Sequence, residues 1–426
     1  MPTDVTGPKP RSSPLDRAWF QYEKAYPRSS PAIGGAFVCR GAPPGPEELR
    51  LLVEAAAAAY PELSGGRAAG PVEAFPFDRH IGEMRMPPGS GERGLRDGID
   101  AVSALPLPEV PWGIWVVHGY DSERFALLAR GHHALFDGRL LIQMVERLFG
   151  AAAPRAAART PGRAAADARG RRGAALRQAF REAQALVDGV SRTCRPVSGT
   201  AGLTGRVRFA WETTPLSRLR RIAARHGASV NDLYLAALAG ALRAWAPERG
   251  WLDGGRPVRA HVPVSEQHVR QEGRLGNEVS GMQLRLPCRE PQPARRVADV
   301  VRQTARIRAA QLHPDHGAFL RLLPARLGRL QMLLALHPSR TTVLASCVPG
   351  PRRPLDLAGR SIDAAVPLVF LPAGHAVAAC LTDCADTATI CFAHDDAVPS
   401  GEQLPAVWLR EVELLERAEP ARPGRR

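Results

Sequence analysis

His132-His133-Ala134-Leu135-Phe136-Asp137-Gly138 is the stretch on which the reading of this chain turns. Residues 124–130 before it read as a strand, with Phe125, Leu127 and Leu128 among small and basic residues, and 139–149 after it have helical spacing. The motif is therefore expected on a strand-to-helix turn, where a histidine projects into a cavity, Gly138 supplies tight backbone and Asp137 turns back to fix the loop. A turn at 119–123 separates it from another strand at 114–117, so the double histidine is expected at the end of a sheet.

Further from the motif, 33–39 reads as a strand and 46–59 as a helix with Pro46 in its first turn and Leu49, Leu52 and Val53 at helical spacing. The segment 65–98 is rich in glycine and proline and yields no assignment. From 151 to 200 alanine and arginine dominate and aromatics nearly vanish, with a helical pattern only at 174–190, which predicts a crossover or linker with a solvated charged face. A second half follows, with a strand at 207–211 and a helix at 215–225. Ser229-Val230-Asn231-Asp232 opens another helix, and 233–245 is apolar on nearly every side, which predicts a helix buried within its domain. Strands are expected at 258–264, 279–286, 341–346, 366–371, 376–382 and 389–393, and helices at 294–310, 319–336 and 402–416. The expected division is a tail at 1–12, a first lobe at 13–150, the linker at 151–200, a second lobe at 201–418 and a tail at 419–426.

At 426 residues the chain exceeds one typical domain. The formal charge of +15 would ordinarily raise nucleic acid, yet Lys9 and Lys24 are the only lysines and the arginines are scattered among acids without interleaved aromatics. Nucleic acid is therefore not expected as a partner, whereas an anionic substrate such as coenzyme A, or an acidic carrier protein, uses such a field equally well. Seven cysteines, an odd number, occur without a secretory signal, so reduced thiols in a cytoplasmic protein are expected. No apolar run approaches the roughly 20 residues that span a bilayer, which leaves at most peripheral membrane contact. Cys380, Cys384 and Cys391 cluster, but they lack the paired spacing of structural zinc and read as small buried thiols, so no metal is expected.

A histidine at the floor of a channel, titrating near neutral pH, can take the proton from a hydroxyl or amine as it attacks a thioester carbonyl. That role is assigned to His133, with Asp137 as the partner that holds the turn and His132 in support. A Ser-His-Asp hydrolase is disfavoured because no Gly-x-Ser-x-Gly elbow is present. Asn231 and Asp232 are read either as caps of their helix or as lining of a channel. Trp19, Phe20, Trp112 and Trp115 are read most simply as core, with an acyl channel as the alternative, Trp112 above all.

Residues 132–138 resemble the HHxxxDG motif of the coenzyme A-dependent acyltransferase superfamily, which includes chloramphenicol acetyltransferase and peptide-synthetase condensation domains. Further segments narrow the likeness to the bacterial wax ester synthase/diacylglycerol acyltransferase family. Ser13-Pro14-Leu15-Asp16 followed by Phe20 is similar to its opening motif, and Asn231-Asp232 to its Asn-Asp motif. Pro263-Val264-Ser265, Gly276-Asn277-Glu278-Val279-Ser280, Val348-Pro349-Gly350-Pro351 and Asp396-Ala397-Val398-Pro399 resemble later motifs in the same order. The resemblance implies an α/β fold of two chloramphenicol acetyltransferase-like lobes joined by the crossover linker, with a channel between them. It also implies an acyl-CoA donor as substrate rather than cofactor, a hydroxylated acceptor, and an oxyanion donor from the other lobe, for which Ser346 and then Asn277 are the candidates.

The chain departs from the family in places. Pro-Leu-Trp survives only as Pro111-Trp112, the arginine usual after Pro-Val-Ser is replaced in Glu266-Gln267-His268, and Cys347 stands where asparagine is common. These departures leave open a tailoring acyltransferase of a specialised metabolite, with a coenzyme A or acyl-carrier-protein donor, and a non-catalytic binding protein of the same fold.

Overall fold

The computed structural model describes residues 14–57, 63, 76–149, 192–195, 202–245, 252, 255–265, 279–311, 332–351 and 355–421. Their chain order gives α1 (Pro14–Ala25), β1 (Ala32–Arg40), α2 (Pro46–Ala57), β2 (Ile81–Arg85), α3 (Gly91–Ala104), β3 (Trp112–His118), β4 (Arg124–His132) and α4 (Gly138–Leu148). Then come β5 (Val207–Pro215), α5 (Leu216–Arg225), α6 (Val230–Trp245), β6 (Val258–Ser265), β7 (Val279–Leu286) and α7 (Pro293–Gln311). The last group is β8 (Val343–Val348), β9 (Asp356–Leu357), β10 (Arg360–Leu368), β11 (Val377–Cys384), β12 (Thr387–Asp395) and α8 (Leu404–Arg417).

These strands form two six-stranded sheets, ordered β2-β3-β4-β1-β10-β9 and β5-β12-β11-β8-β6-β7. In the first, β1 is antiparallel to β4 with Ala32 opposite His132, and antiparallel to β10 with Gly34 opposite Leu368. In the second, β8 runs parallel to both β11 and β6. One face of the second sheet packs on α6, α7 and α8 through Leu233, Leu238, Val300 and Trp408. Its other face, carrying Trp211, Leu344, Cys380 and Cys391, joins the core of the first lobe. Two apolar faces on one sheet account for the near-continuous hydrophobic runs of β11 and β12.

The lobes are also latched by polar groups. From α3, Arg96 lies 4.3 Å over the Trp211 ring and donates to the Trp211 carbonyl at 3.0 Å, and Asp100 accepts the Phe209 N–H at 2.9 Å and Arg208 at 3.2 Å. Burial pushes the Asp100 carboxyl up to about 6, against the pull of those two hydrogen bonds.

Several expectations change. The segment 65–98, left unassigned, holds β2 and the start of α3. Strand β10, expected within the second lobe, completes the first sheet instead: after Val348 the chain leaves β8, runs through β9 and β10 beside β1, and returns to β11. Residues 192–195, expected in the linker, are built into the second lobe, because Thr193 N–H donates to Ser339 O at 2.8 Å and Cys194 N–H to Pro257 O at 2.9 Å. The helix expected at 174–190 and most of that expected at 319–336 lie outside the described residues.

Candidate active site

The double histidine closes strand β4. His132 N–H donates to Pro111 O at 2.8 Å on the β3 side, and His133 N–H to Pro31 O at 2.9 Å on the β1 side, so the pairing of β4 with both neighbours extends into the motif. Leu135 N–H then turns back to His132 O at 2.9 Å. Asp137, almost fully buried, is the N-cap of α4: its Oδ1 accepts the Leu140 N–H at 2.8 Å. Gly138 has an ordinary backbone conformation. Its missing side chain matters for another reason, since a Cβ there would sit 2.9 Å from Cγ2 of Val348 in the other lobe. The Val-Pro-Gly-Pro turn, where the chain leaves β8, is thereby seated against the start of α4. Gly350 is equally constrained, because a Cβ would overlap the Asp383 carbonyl oxygen.

The two histidines are held in different ways. His132 Nδ1 accepts the Ala134 N–H at 3.0 Å, which places its proton on Nε2, 3.4 Å from Glu23 Oε2. That distance carries no well-aligned hydrogen bond. The ring of Phe20 stacks on His132 at 4.6 Å. His133 is engaged by its own carbonyl oxygen and that of Phe136. Of the two ring nitrogens, Nδ1 is the one that can approach its own residue's carbonyl. Trp19 stacks on the His133 ring at 4.2 Å and 6°, and Phe370, on the segment returning from β10, meets it edge-on at 5.9 Å.

Burial holds both imidazoles down at about 4, in His133 against the carbonyl bonds and the Asp137 carboxylate, and in His132 with help from its neighbour. A base titrating near neutral pH was expected, and this is a correction: the site is desolvated by Trp19, Phe370 and the sheet end, and that burial outweighs the pull of the Asp137 carboxylate on His133.

The remaining expected residues scatter. Ser346 lies on the face of β8 that also carries Leu344 and Val348, the face turned to the first lobe, and its hydroxyl pairs with the Cys380 thiol. Asn277 lies outside the described residues. Asp232 and Ser229 form a reciprocal capping box at the start of α6, with Asp232 N–H to Ser229 Oγ at 3.1 Å and Ser229 N–H to Asp232 Oδ2 at 3.0 Å. Asp232 also accepts from Thr304 at 2.7 Å and from Arg308 at 3.1 Å, which ties α6 to α7. Burial opposes its ionisation, yet the Ser229, Thr304 and Arg308 contacts hold the carboxyl below its ordinary value. These contacts give it the capping role of the two readings. Asn231 takes no part in the box, and its Oδ1 is buried without a hydrogen-bond partner. Trp112 is core as well: it is buried, donates Nε1–H to Leu63 O at 2.8 Å and stacks on His80 at 4.3 Å.

Cys380, Cys384 and Cys391 lie among the apolar groups between the lobes, with Cys380 opposite Cys391 across β11 and β12. Burial pushes the Cys380 thiol up to about 12 and that of Cys384 up to about 11. Among the described residues no group of three or more His, Cys, Asp or Glu side chains is placed to hold a metal ion.

A histidine pair on a strand end, capped by an Asp-Gly helix start and closed by a turn from a second lobe, has known counterparts. Residues 67–207 match the model of the wax ester synthase/diacylglycerol acyltransferase catalytic domain, and residues 275–415 match that of the C-terminal domain of the same family. The chain belongs to this family. It is accordingly an acyltransferase, which closes the reading as a non-catalytic binding protein. Among curated members, the probable diacylglycerol O-acyltransferase tgs2 of Mycobacterium tuberculosis is 26% identical over 355 residues, covering 75% of this chain and 77% of that protein. The probable diacylglycerol O-acyltransferase tgs1 of the same organism is 23% identical over 313 residues, 68% of each chain. Among solved structures, the wax ester synthase/diacylglycerol acyltransferase from Marinobacter aquaeolei VT8 superposes with a TM-score of 0.62 at 19% identity, covering 95% of this chain and 98% of that one. The first condensation domain of the CDA synthetase gives 0.62 at 18% identity, over 96% of each chain. The shared two-lobed α/β architecture is therefore that of the family and of condensation domains.

Two side chains at the site of this wax ester synthase/diacylglycerol acyltransferase member were missed by sequence reasoning, Glu23 on α1 and Phe370 on the crossover, while Trp19, read as core or channel lining, is a core residue that stacks on His133. No local pattern marks them, because their partners lie in a distant part of the chain. Helical spacing in 14–25 was the one available signal that Trp19 and Glu23 share a side of a helix.

Proposed function

We propose that this acyltransferase moves an acyl group from an acyl-CoA thioester to the hydroxyl of a lipid alcohol or diacylglycerol, with His133 as general base. The observation that carries this reading is the His133 ring itself, stacked on Trp19 at 4.2 Å, edge-on to Phe370 at 5.9 Å and held toward its neutral form by burial, at the strand end from which the motif runs to Gly138 and its contact with Val348 of the other lobe. With its own proton on Nδ1, His133 takes the proton of the acceptor hydroxyl on Nε2. The alcohol oxygen then bonds to the thioester carbonyl carbon, giving a tetrahedral oxyanion. Collapse expels the coenzyme A thiolate, which recovers the proton from Nε2, so the step balances with no further co-reactant. Ser346 supports the oxyanion in this scheme, its hydroxyl turning from the Cys380 thiol toward the developing charge. Members named as diacylglycerol O-acyltransferases support the choice of acceptor.

The test uses purified protein and His133→Ala with acyl-CoAs of several chain lengths against long-chain alcohols and diacylglycerol, following thiol release and product mass. Ester formation that falls about 100- to 10,000-fold in the variant is expected. Wild-type rates from the variant would remove the base assignment, and thiol release without transfer to any lipid alcohol would remove the acceptor.

A further inference from the structure

We propose that Trp19 is a positioning residue for the reaction, its indole fixing the plane of the His133 ring so that Nε2 meets the acceptor hydroxyl. This rests on His133 being the base, as proposed above.

The backbone N–H of His133, bonded to Pro31 O, fixes where the ring begins, and the carbonyls of His133 and Phe136 act on the ring. Neither covers the ring faces. The indole does, lying parallel to the imidazole at 4.2 Å, while Phe370 stands edge-on to both rings at 5.3 and 5.9 Å. Rotation about the Cβ–Cγ bond of His133 would drive the imidazole out of the stack and into these walls. The walls themselves are tied down. Tyr22, one helical turn from Trp19 and fully buried, accepts the Ala373 N–H on its hydroxyl at 2.8 Å, and Ser29 donates to Leu371 O at 3.0 Å. Helix α1 and the segment carrying Phe370 are thus anchored to each other, and the box they form around His133 is rigid.

A second observation separates ring placement from polar anchoring. Trp19 Nε1 is buried without a hydrogen-bond partner, so it is the flat apolar surface that fits this position. A buried donor left unpaired is unfavourable by about 1–3 kcal/mol, a penalty phenylalanine would escape while keeping a stacked ring. By contrast His132 is held through Nδ1 by the Ala134 N–H, and the Phe20 ring above it is largely exposed. The indole also keeps water from the base. The titratable groups that interact with His133 are Asp137 at the cap of α4 and His132 on β4, with Glu23 of α1 3.4 Å from His132. Of these, Asp137 is the one that favours the charged imidazole and His132 lies adjacent in the strand.

The test compares Trp19→Ala, Trp19→Leu and Trp19→Phe with wild type and His133→Ala, measuring kcat, KM for acyl-CoA and for the alcohol, and the pH dependence of kcat. Misplacement of a catalytic group by about 1 Å is worth about 100-fold, so kcat of the alanine and leucine variants is expected to fall by about 30- to 100-fold with both KM values within about threefold. Their acidic limb is expected to rise toward 6.5 as water reaches the ring. Trp19→Phe is expected to keep kcat within about threefold and to leave the limb in place. Leucine fills the apolar volume without a flat ring, so it answers the question if alanine does not fold. Wild-type kcat and pH profile in Trp19→Leu, with His133→Ala inactive, would overturn the inference, as would a Trp19→Phe variant as slow as the leucine one. Full activity in His133→Ala would instead remove the reading beneath it.

Discussion

Adjacent imidazoles on one strand end face opposite requirements, and the backbone meets both. His132 accepts from the Ala134 N–H to hold the turn, and in the proposed scheme His133 keeps its proton on Nδ1 to leave a basic Nε2. Replacing His132 by Phe strands the Ala134 amide, and an unfolding free energy lower by about 1–3 kcal/mol is expected from denaturant titration. Because burial holds His133 at about 4, kcat/KM should be flat from pH 6 to 8 and fall only as the pH approaches that value. A limb near 6.5 in the wild-type profile would mean that the free enzyme does not hold this desolvated ring. At this scale the histidines and Asp137 were legible in the sequence, since a strand and a helix cap each have local signatures, whereas Gly138 is needed for its approach to Val348 and not for the tight backbone expected of it. Phe370 was not legible, and Trp19 read as core or channel lining without its partner. Aromatic packing around a base is set by which distant segments the sheet brings together, and an aromatic in a helix looks the same whether it covers core or chemistry.

Elements show a similar division. Strand β1 and helix α6 were readable because their apolar patterns are strong, and the Ser229 and Asp232 spacing marked the start of α6. Strand β2 and the entry to α3 hid in a glycine- and proline-rich stretch that gives no period, and their order comes from pairing with β3 and from packing. The Val-Pro-Gly-Pro turn illustrates how an element can be constrained by what it touches. Gly350→Ala forces a methyl into the Asp383 carbonyl, and a loss of about 1–3 kcal/mol is expected, with esterification falling as Val348 withdraws from Gly138. Thermal unfolding together with kcat separates the two effects. Asp232→Ala removes the capping box and leaves Arg308 without its carboxylate, so a stability loss of about 1–3 kcal/mol is expected with kcat of the folded enzyme retained. Equal loss of kcat in fully folded Asp232→Ala would return that residue to the channel.

The molecule as a whole carries its pH response in imidazoles that are buried, as His132 and His375 are, or half-buried, as His133 and His261 are. Burial holds His132, His133, His261 and His375 at about 4, below the ordinary histidine value of about 6.5. The unfolded chain therefore binds protons that the folded one refuses, and stability is greatest above pH 6.5 and drops as the pH falls from there toward 4. Asp100, raised to about 6, works the other way, since its folded form takes the proton first and its contribution fades as pH rises from about 4 through 6. His80, His337 and His394 are held down as well, and Glu23 and Glu411 are pushed up with Asp100, so seven imidazoles against three carboxyls set the expected sign: urea midpoints should be lower at pH 5 than at pH 7, and an unchanged or higher midpoint at pH 5 would refute it. Two lobes and their order were legible from the sequence. That β10 belongs to the first sheet was not, because strand pairing between distant segments leaves no local trace. This placement has a bearing on how the chain is made. As the polypeptide emerges from the ribosome, β1 through β4 are available early, but the Gly34 to Cys39 edge of β1 has no partner until 360–368 follow, after most of the second lobe. The first lobe is thus begun first and finished late, and until then its growing edge is open to pairing with another nascent chain.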